Sequence, residues 1–182
     1  NGWPVDVPDG SDIPQNGMVL WLDANDVDAD GEFDAGTDHL KLANWADKAG
    51  HDHNATQATA GHQPEIRKQL LPNPALNLLL FDGNQSLAFP TISQVRTGFW
   101  VAERGDGCSV GSAFFADSDT DTWGRHNSGQ FFFGSNSNIN GGLLRRDGEH
   151  NDDPNSSFLQ QLQVIALRTT DFVSADRIGK RI

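Results

Sequence analysis

Asp23, Asp26, Asp28, Asp30, Asp34 and Asp38 crowd one short stretch of this chain. Six carboxylates so close together repel one another unless a cation neutralises them. Directly before them runs Met18-Val19-Leu20-Trp21-Leu22, an apolar segment that predicts a buried β-strand. The heart of the acidic stretch, Asp26 to Gly31, spells D-x-D-x-D-G. Calcium loops begin this way, with hard oxygen ligands at positions 1, 3 and 5 and a glycine at 6 for the sharp turn. Counting on from Asp26, position 7 is Glu32, whose backbone carbonyl is a candidate ligand, and position 9 is Asp34. Position 12, a bidentate Glu in helical calcium hands, is Thr37, and Asp38 comes one place later. No amphipathic helix follows. The pattern therefore predicts a calcium-staple loop leaving a strand, not a sensor hand. Its candidate ligands are Asp26, Asp28, Asp30, Glu32, Asp34 and Asp38. The competing account is a solvated acidic turn.

The rest of the composition agrees with a strand-and-loop protein. The chain holds 21 Asp and four Glu, and Asp favours turns and oxygen-ligand loops where Glu favours helices. A length of 182 residues suits one domain with a sizeable core. A net charge of −12 argues against nucleic acid and anionic membranes as partners. No apolar run is long enough to predict membrane insertion. Cys108 is alone, so no intramolecular disulfide forms. An extracellular chain of this kind needs another stiffener, and calcium is the obvious one. Residues 1–16 are rich in Pro, Asp and Gly and read as a linker, which implies neighbouring domains. Residues 17–182 form the predicted domain.

Short strands are expected at Asn54 to Ala58, within Pro64 to Leu71, and at Asn77 to Phe81, which runs into an Asp82-Gly83 turn. Further strands are expected at Leu87 to Phe89, stopped by Pro90, then at Gly98 to Glu103 and Gly111 to Ala116. Gln130 to Gly134 is expected to pair with Leu143 to Arg146, and Glu149 to Ser157 to be a polar turn. Leu162 to Thr170 is the cleanest strand, and Val173 to Ile182 begins another. About a dozen short strands predict a two-sheet antiparallel sandwich or barrel. Trp21 and Trp45 are expected in the core. His51 and His53 lie in a polar turn without a third ligand and are read as solvated. Arg104-Gly105-Asp106 is read as a turn.

A second acidic loop, Asp117 to Asp121, lacks the glycine of the first. Trp123, Arg125, His126 and Asn127 follow it, beside Asp119 and Asp121. An aromatic face with directional polar groups is what sugar recognition requires, so these six residues are the candidate ligand-binding patch. The alternative is that Trp123 plugs the core.

Taken in order, VLWLDANDVDADG, NWADKAGHDHNATQ, LLFDGNQSLAF and LQVIALRTT with Ala175 to Gly179 resemble the LamG-like, concanavalin A-like jelly-roll modules of bacterial secreted and cell-surface proteins. The resemblance covers about Gly17 to Ile182. It implies an all-β jelly roll of two curved antiparallel sheets, often with bound calcium, that binds glycans or mediates adhesion. Asp23, Asp26, Asp28, Asp30 and the Asp82-Gly83 turn match its pattern. Such modules usually continue past the Ile178-Gly179 segment into a last core strand. The resemblance therefore implies truncation, disorder or a strand supplied by another chain. Hydrolases of this fold usually carry E-x-D-x-x-E on one strand, and none of the four Glu has that setting; Glu103, with Asp106, comes closest. Lyases of the fold typically use a Tyr, and this chain has none. The expectation is a non-catalytic, calcium-stabilised, extracellular carbohydrate-binding or adhesive module. Its alternative is a spacer or assembly subunit engaging another extracellular chain by a strand edge.

Overall fold

The computed structural model describes residues 16–34, 38–69, 76–103, 112–117, 122–125, 137–151 and 162–181. Ten strands account for most of it. They are β1 (Asn44–Trp45), β2 (Ala55–Thr56), β3 (Glu65–Gln69), β4 (Leu76–Leu80), β5 (Leu87–Ala102), β6 (Ser112–Ala116), β7 (Thr122–Arg125), β8 (Leu143–Arg146), β9 (Glu149–Asn151) and β10 (Gln163–Arg181). One short α-helix, α1 (Ser137–Asn140), precedes β8, and a single 3-10 turn covers Ala60–His62. Eight strands form one sheet in the order β1-β2-β5-β10-β6-β7, with β8 on β10 and β9 on β8; β3 and β4 form a separate hairpin. Every strand pairing among the described residues is antiparallel. The protein is all-β, as the sequence predicts.

Several expected strand boundaries differ. Pro90 does not stop a strand: β5 runs through it to Ala102. Proline lacks the N–H that a ladder needs and is tolerated where a ladder is interrupted. Pro90 sits at such a place, because β5 and β10 shift register between the Ile92–Ala175 and Ala88–Arg177 pairs. The two expected C-terminal strands are one, β10, irregular between Arg168 and Val173. Leu143 to Arg146 pairs with β10 on one edge and with β9 on the other. The polar turn expected over Glu149 to Ser157 begins instead with strand β9, Glu149–Asn151, and residues 152–157 lie outside the described residues. The turn lies just before β9 at Asp147-Gly148, both at positive φ (49° and 82°), as a two-residue hairpin loop requires. Residues 130–134 lie outside the described residues.

The core has two parts. Ile139, Leu144, Ile165, Leu167 and Val173 form one. Leu42, Trp45, Ala55, Ile66, Leu87, Phe89, Ile92 and Ala175 form the other. Val95 and Phe115 pack against both and join them. Strand alternation decides which side chains enter. Along β10, Gln163, Ile165, Leu167 and Thr169 are buried while Val164, Arg168 and Thr170 are exposed. Trp45 is a core residue as expected; Trp21 is only half-buried. No helix among the described residues is long and apolar enough to cross a membrane.

This sidedness predicts a contrast in stability. Leu167→Ala should cost about 2–5 kcal/mol by urea denaturation. Phe99→Ala, on the opposite face of the same sheet, should stay within about 0.5 kcal/mol.

Candidate metal centre

The apolar run 18–22 is not a strand. The backbone groups of Met18, Val19 and Trp21 are met by side chains and by a turn rather than by a ladder, and all five residues are half-buried. The Trp21 N–H donates to Asp47 Oδ1 (2.9 Å), and the Trp21 carbonyl accepts from the Lys48 N–H (2.9 Å). His51 Nε2 reaches the Met18 carbonyl at 2.9 Å, and His53 Nδ1 reaches that of Val19 at 2.8 Å. A carbonyl can only accept, so these ring nitrogens carry protons. The two histidines are not simply solvated; they lace residues 18–19 to the 47–53 turn.

The acidic loop is fastened at both ends. Below it, Leu22, Ala24 and Val27 pack against the core that contains Trp45 and Leu87. The Trp45 indole N–H donates to the Asp23 carbonyl (2.9 Å), and the Ala46 N–H donates to that of Val27 (2.8 Å). On the far side Asn77 is buried. Its N–H donates to Asn25 Oδ1 (2.9 Å) and its amide Nδ2 to the Asp34 carbonyl (2.8 Å).

Within the loop the carboxylates fold the backbone round themselves. Asp26 accepts from the N–H groups of Asp30 (3.0 Å) and Gly31 (3.1 Å). Asp28 accepts from Asp30 (3.2 Å), Asp30 from Glu32 (2.8 Å), and Asp34 from Val27 (2.5 Å). Ala29 and Gly31 take positive φ (61° and 91°), which lets so short a segment close. Asp26, Asp28 and Asp34 thereby bring one carboxylate oxygen each within 4.8 Å of one another. Oxygens sharing one calcium ion at about 2.3–2.6 Å lie no more than about 5 Å apart, so the spacing fits. Three carboxylates are fewer than the six to eight oxygens calcium takes, and backbone carbonyls or water would supply the remainder. Asp30 and Glu32 are in the loop but not in this triad. Asp38 is elsewhere, accepting from the Lys68 N–H (3.2 Å) and lying 3.3 Å from His39 Nε2.

Lys48 is the residue the sequence reading overlooked. Its ammonium lies 2.6 Å from Asp26 Oδ2 and 3.3 Å from Asp23 Oδ2, over the Trp21 ring at 4.7 Å. Asp26 is 3 % exposed, and burial works to raise its pKa. The Lys48 hydrogen bond and charge, with the Gly31 and Asp30 N–H groups, outweigh that and hold it below its ordinary 3.8. For Lys48, burial favours the neutral form, but Asp26 and Asp23 outweigh it and raise the pKa above 10.5. Part of the loop's charge is therefore met from within the chain. Nothing in the D-x-D-x-D-G spacing points to a lysine so far along the sequence. The turn composition of Asp47-Lys48-Ala49-Gly50 is the one local sign that this segment folds back.

Of the candidate sugar patch, Trp123 and Arg125 belong to β7, at the register positions opposite Phe115 and Ala113. Asp119, Asp121, His126 and Asn127 lie outside the described residues, as do residues 1–15, 104–106 and Cys108. Comparison with protein-family models, with curated proteins and with solved structures finds no match.

The Asp26–Lys48 pair predicts a pH window. A depressed carboxyl pKa adds stability that is complete above about pH 4 and is lost as pH falls through the folded-state value. The raised Lys48 pKa adds stability that is complete below 10.5 and is lost at higher pH. Asp26→Asn should flatten the acid limb of a stability-versus-pH curve. Lys48→Met leaves a buried carboxylate without its cation and should cost roughly 1–3 kcal/mol in metal-free urea denaturation.

Proposed function

We propose that this protein is a calcium-stabilised, non-catalytic, extracellular β module that binds carbohydrate or mediates adhesion as part of a larger secreted protein. The observation that carries the reading is the Asp26, Asp28 and Asp34 triad, with its oxygens within 4.8 Å on a loop whose underside is fixed in the core. The donor set is hard and anionic, which suits calcium over softer metals. The ion would lock the acidic end of the scaffold, and an all-β body of antiparallel strands is compatible with a jelly-roll sandwich of the LamG-like kind. Glycan binding rests on the resemblance and on the composition of the Trp123 to Asn127 segment with Asp119 and Asp121.

A second reading is favoured by one feature of β5. Among the described residues its edge opposite β10 is paired only at Ala88, to Thr56 of β2. A strand of another extracellular chain could extend the sheet there, which would make the protein a spacer or assembly subunit.

Calcium titration of the melting temperature tests the main reading. Saturating calcium at a hundred times its Kd should add about 2.7 kcal/mol, and a chelator should remove it. Asp28→Ala and Asp34→Asn should abolish that increment. A melting temperature indifferent to calcium would sink the metal assignment. A glycan array run with and without chelator separates the two functions, since an assembly subunit would bind none.

A further inference from the structure

The sheet face turned away from the core carries side chains that the fold does not use. Where β5, β10 and β8 pair side by side, the exposed positions are Thr97, Phe99 and Val101 on β5, Val164 and Arg168 on β10, and Leu143 and Arg145 on β8. The register sets them in rows. Val101 stands opposite Val164, Phe99 opposite Ala166 with Arg145 on its other side, and Thr97 opposite Arg168 with Leu143 beyond. Ala166, small and half-buried, is the centre of the face. Phe99 and Arg145 flank it across the sheet, and Val164 and Arg168 flank it along its own strand. A shallow trough results, roughly 10 Å from the Phe99 strand to the Arg145 strand.

Two properties set this face apart. Phe99 is 73 % exposed, Val101 64 % and Val164 51 %, an unusual cluster for residues of this size. The second property is charge. Arg67, Arg96 and Arg177 each lie against an acid, Glu65 at 2.8 Å, Asp171 at 4.0 Å and Asp176 at 2.7 Å. Arg145 and Arg168 are exposed and have no acidic partner among the described residues, in a chain of net charge −12. Exposed acids stand towards both ends: Glu103 just past β5 and Asp147, whose carboxylate accepts the Val164 N–H (2.8 Å), at one, and Asp171, 4.0 Å from Arg96, at the other.

We propose that this face docks a uronate-bearing polysaccharide, with a sugar ring on Phe99 and sugar carboxylates on Arg145 and Arg168. The inference rests on the glycan-binding reading but assigns it to the β5–β10–β8 face and gives the glycan its charge. Guanidinium groups match carboxylates by paired N–H donors, and the aromatic face accepts sugar C–H groups. A neutral glycan would leave both cations unanswered. The protein's overall negative field is screened beyond about 8 Å at physiological salt, so contact charges decide.

The test is calorimetric titration of the whole chain with a uronate trimer, too short to gel with the calcium present, beside a neutral glucan trimer and a sulfated one. The uronate should bind in preference to both. Arg145→Ala, Arg168→Ala and Phe99→Ala should each weaken binding roughly tenfold or more while leaving the melting temperature unchanged. Arg145→Lys should restore only part, since it keeps the charge and loses the fork. If a neutral or sulfated glycan binds and the uronate does not, this inference fails and the glycan reading stands. If no glycan binds, the glycan reading fails and takes this inference with it. If light scattering finds a dimer that Phe99→Ala dissociates, the face belongs to a second copy and the inference is overturned.

Discussion

A carboxylate removed from water must be met by donors or by a cation, and two of them govern the acidic end of this molecule. The Asp47 side chain is fully buried. It is met by N–H groups alone: Trp21 and Ala49 on one oxygen, His51 and His53 on the other. Asp26 is met by two N–H groups and one ammonium. Lys48 follows Asp47 directly, so the turn that buries one carboxylate delivers the cation for the other. Residues 18–22, the 23–34 loop and the 47–53 turn are in this way one polar construction laid over an apolar core.

That construction explains which parts of the sequence were legible. Alternation gave β10 its inner and outer faces, because burial of Ile165 and Leu167 leaves a period-two trace. The strands β3 and β4 were each expected from the sequence, but not their pairing with one another. The D-x-D-x-D-G spacing gave a folded loop, since asparagine-like turns are local and the residues that make them are adjacent. Met18 to Leu22 was misread because an apolar run records burial, not how the backbone is hydrogen-bonded. Its donors and acceptors find partners about 26–34 residues away, at Asp47, His51 and His53, and no local pattern carries that. Pro90 misled for a related reason: a proline's effect depends on whether the facing ladder is regular at that point. The Asp147-Gly148 hairpin, by contrast, was written plainly in the sequence and was passed over.

The two proposed sites draw on opposite resources. The loop gathers negative charge where the chain bends, and its fitness for a cation comes from oxygens crowded by the backbone. The outer sheet face is set by strand register, and it holds two arginines, Arg145 and Arg168, without an acidic partner among the described residues. Neither depends on the other's geometry. The loop packs on the core containing Leu87 and Trp45, while the Phe99 face lies over the core containing Ile165 and Leu167.

Strand β10 pairs with β5, β6 and β8, all of which precede it in the chain. During synthesis those earlier strands leave the ribosome before the segment that joins them. They must wait, their hydrogen-bonding edges open, until residues 163–181 arrive. Pairing over such sequence distances is slow and exposes strands to aggregation meanwhile.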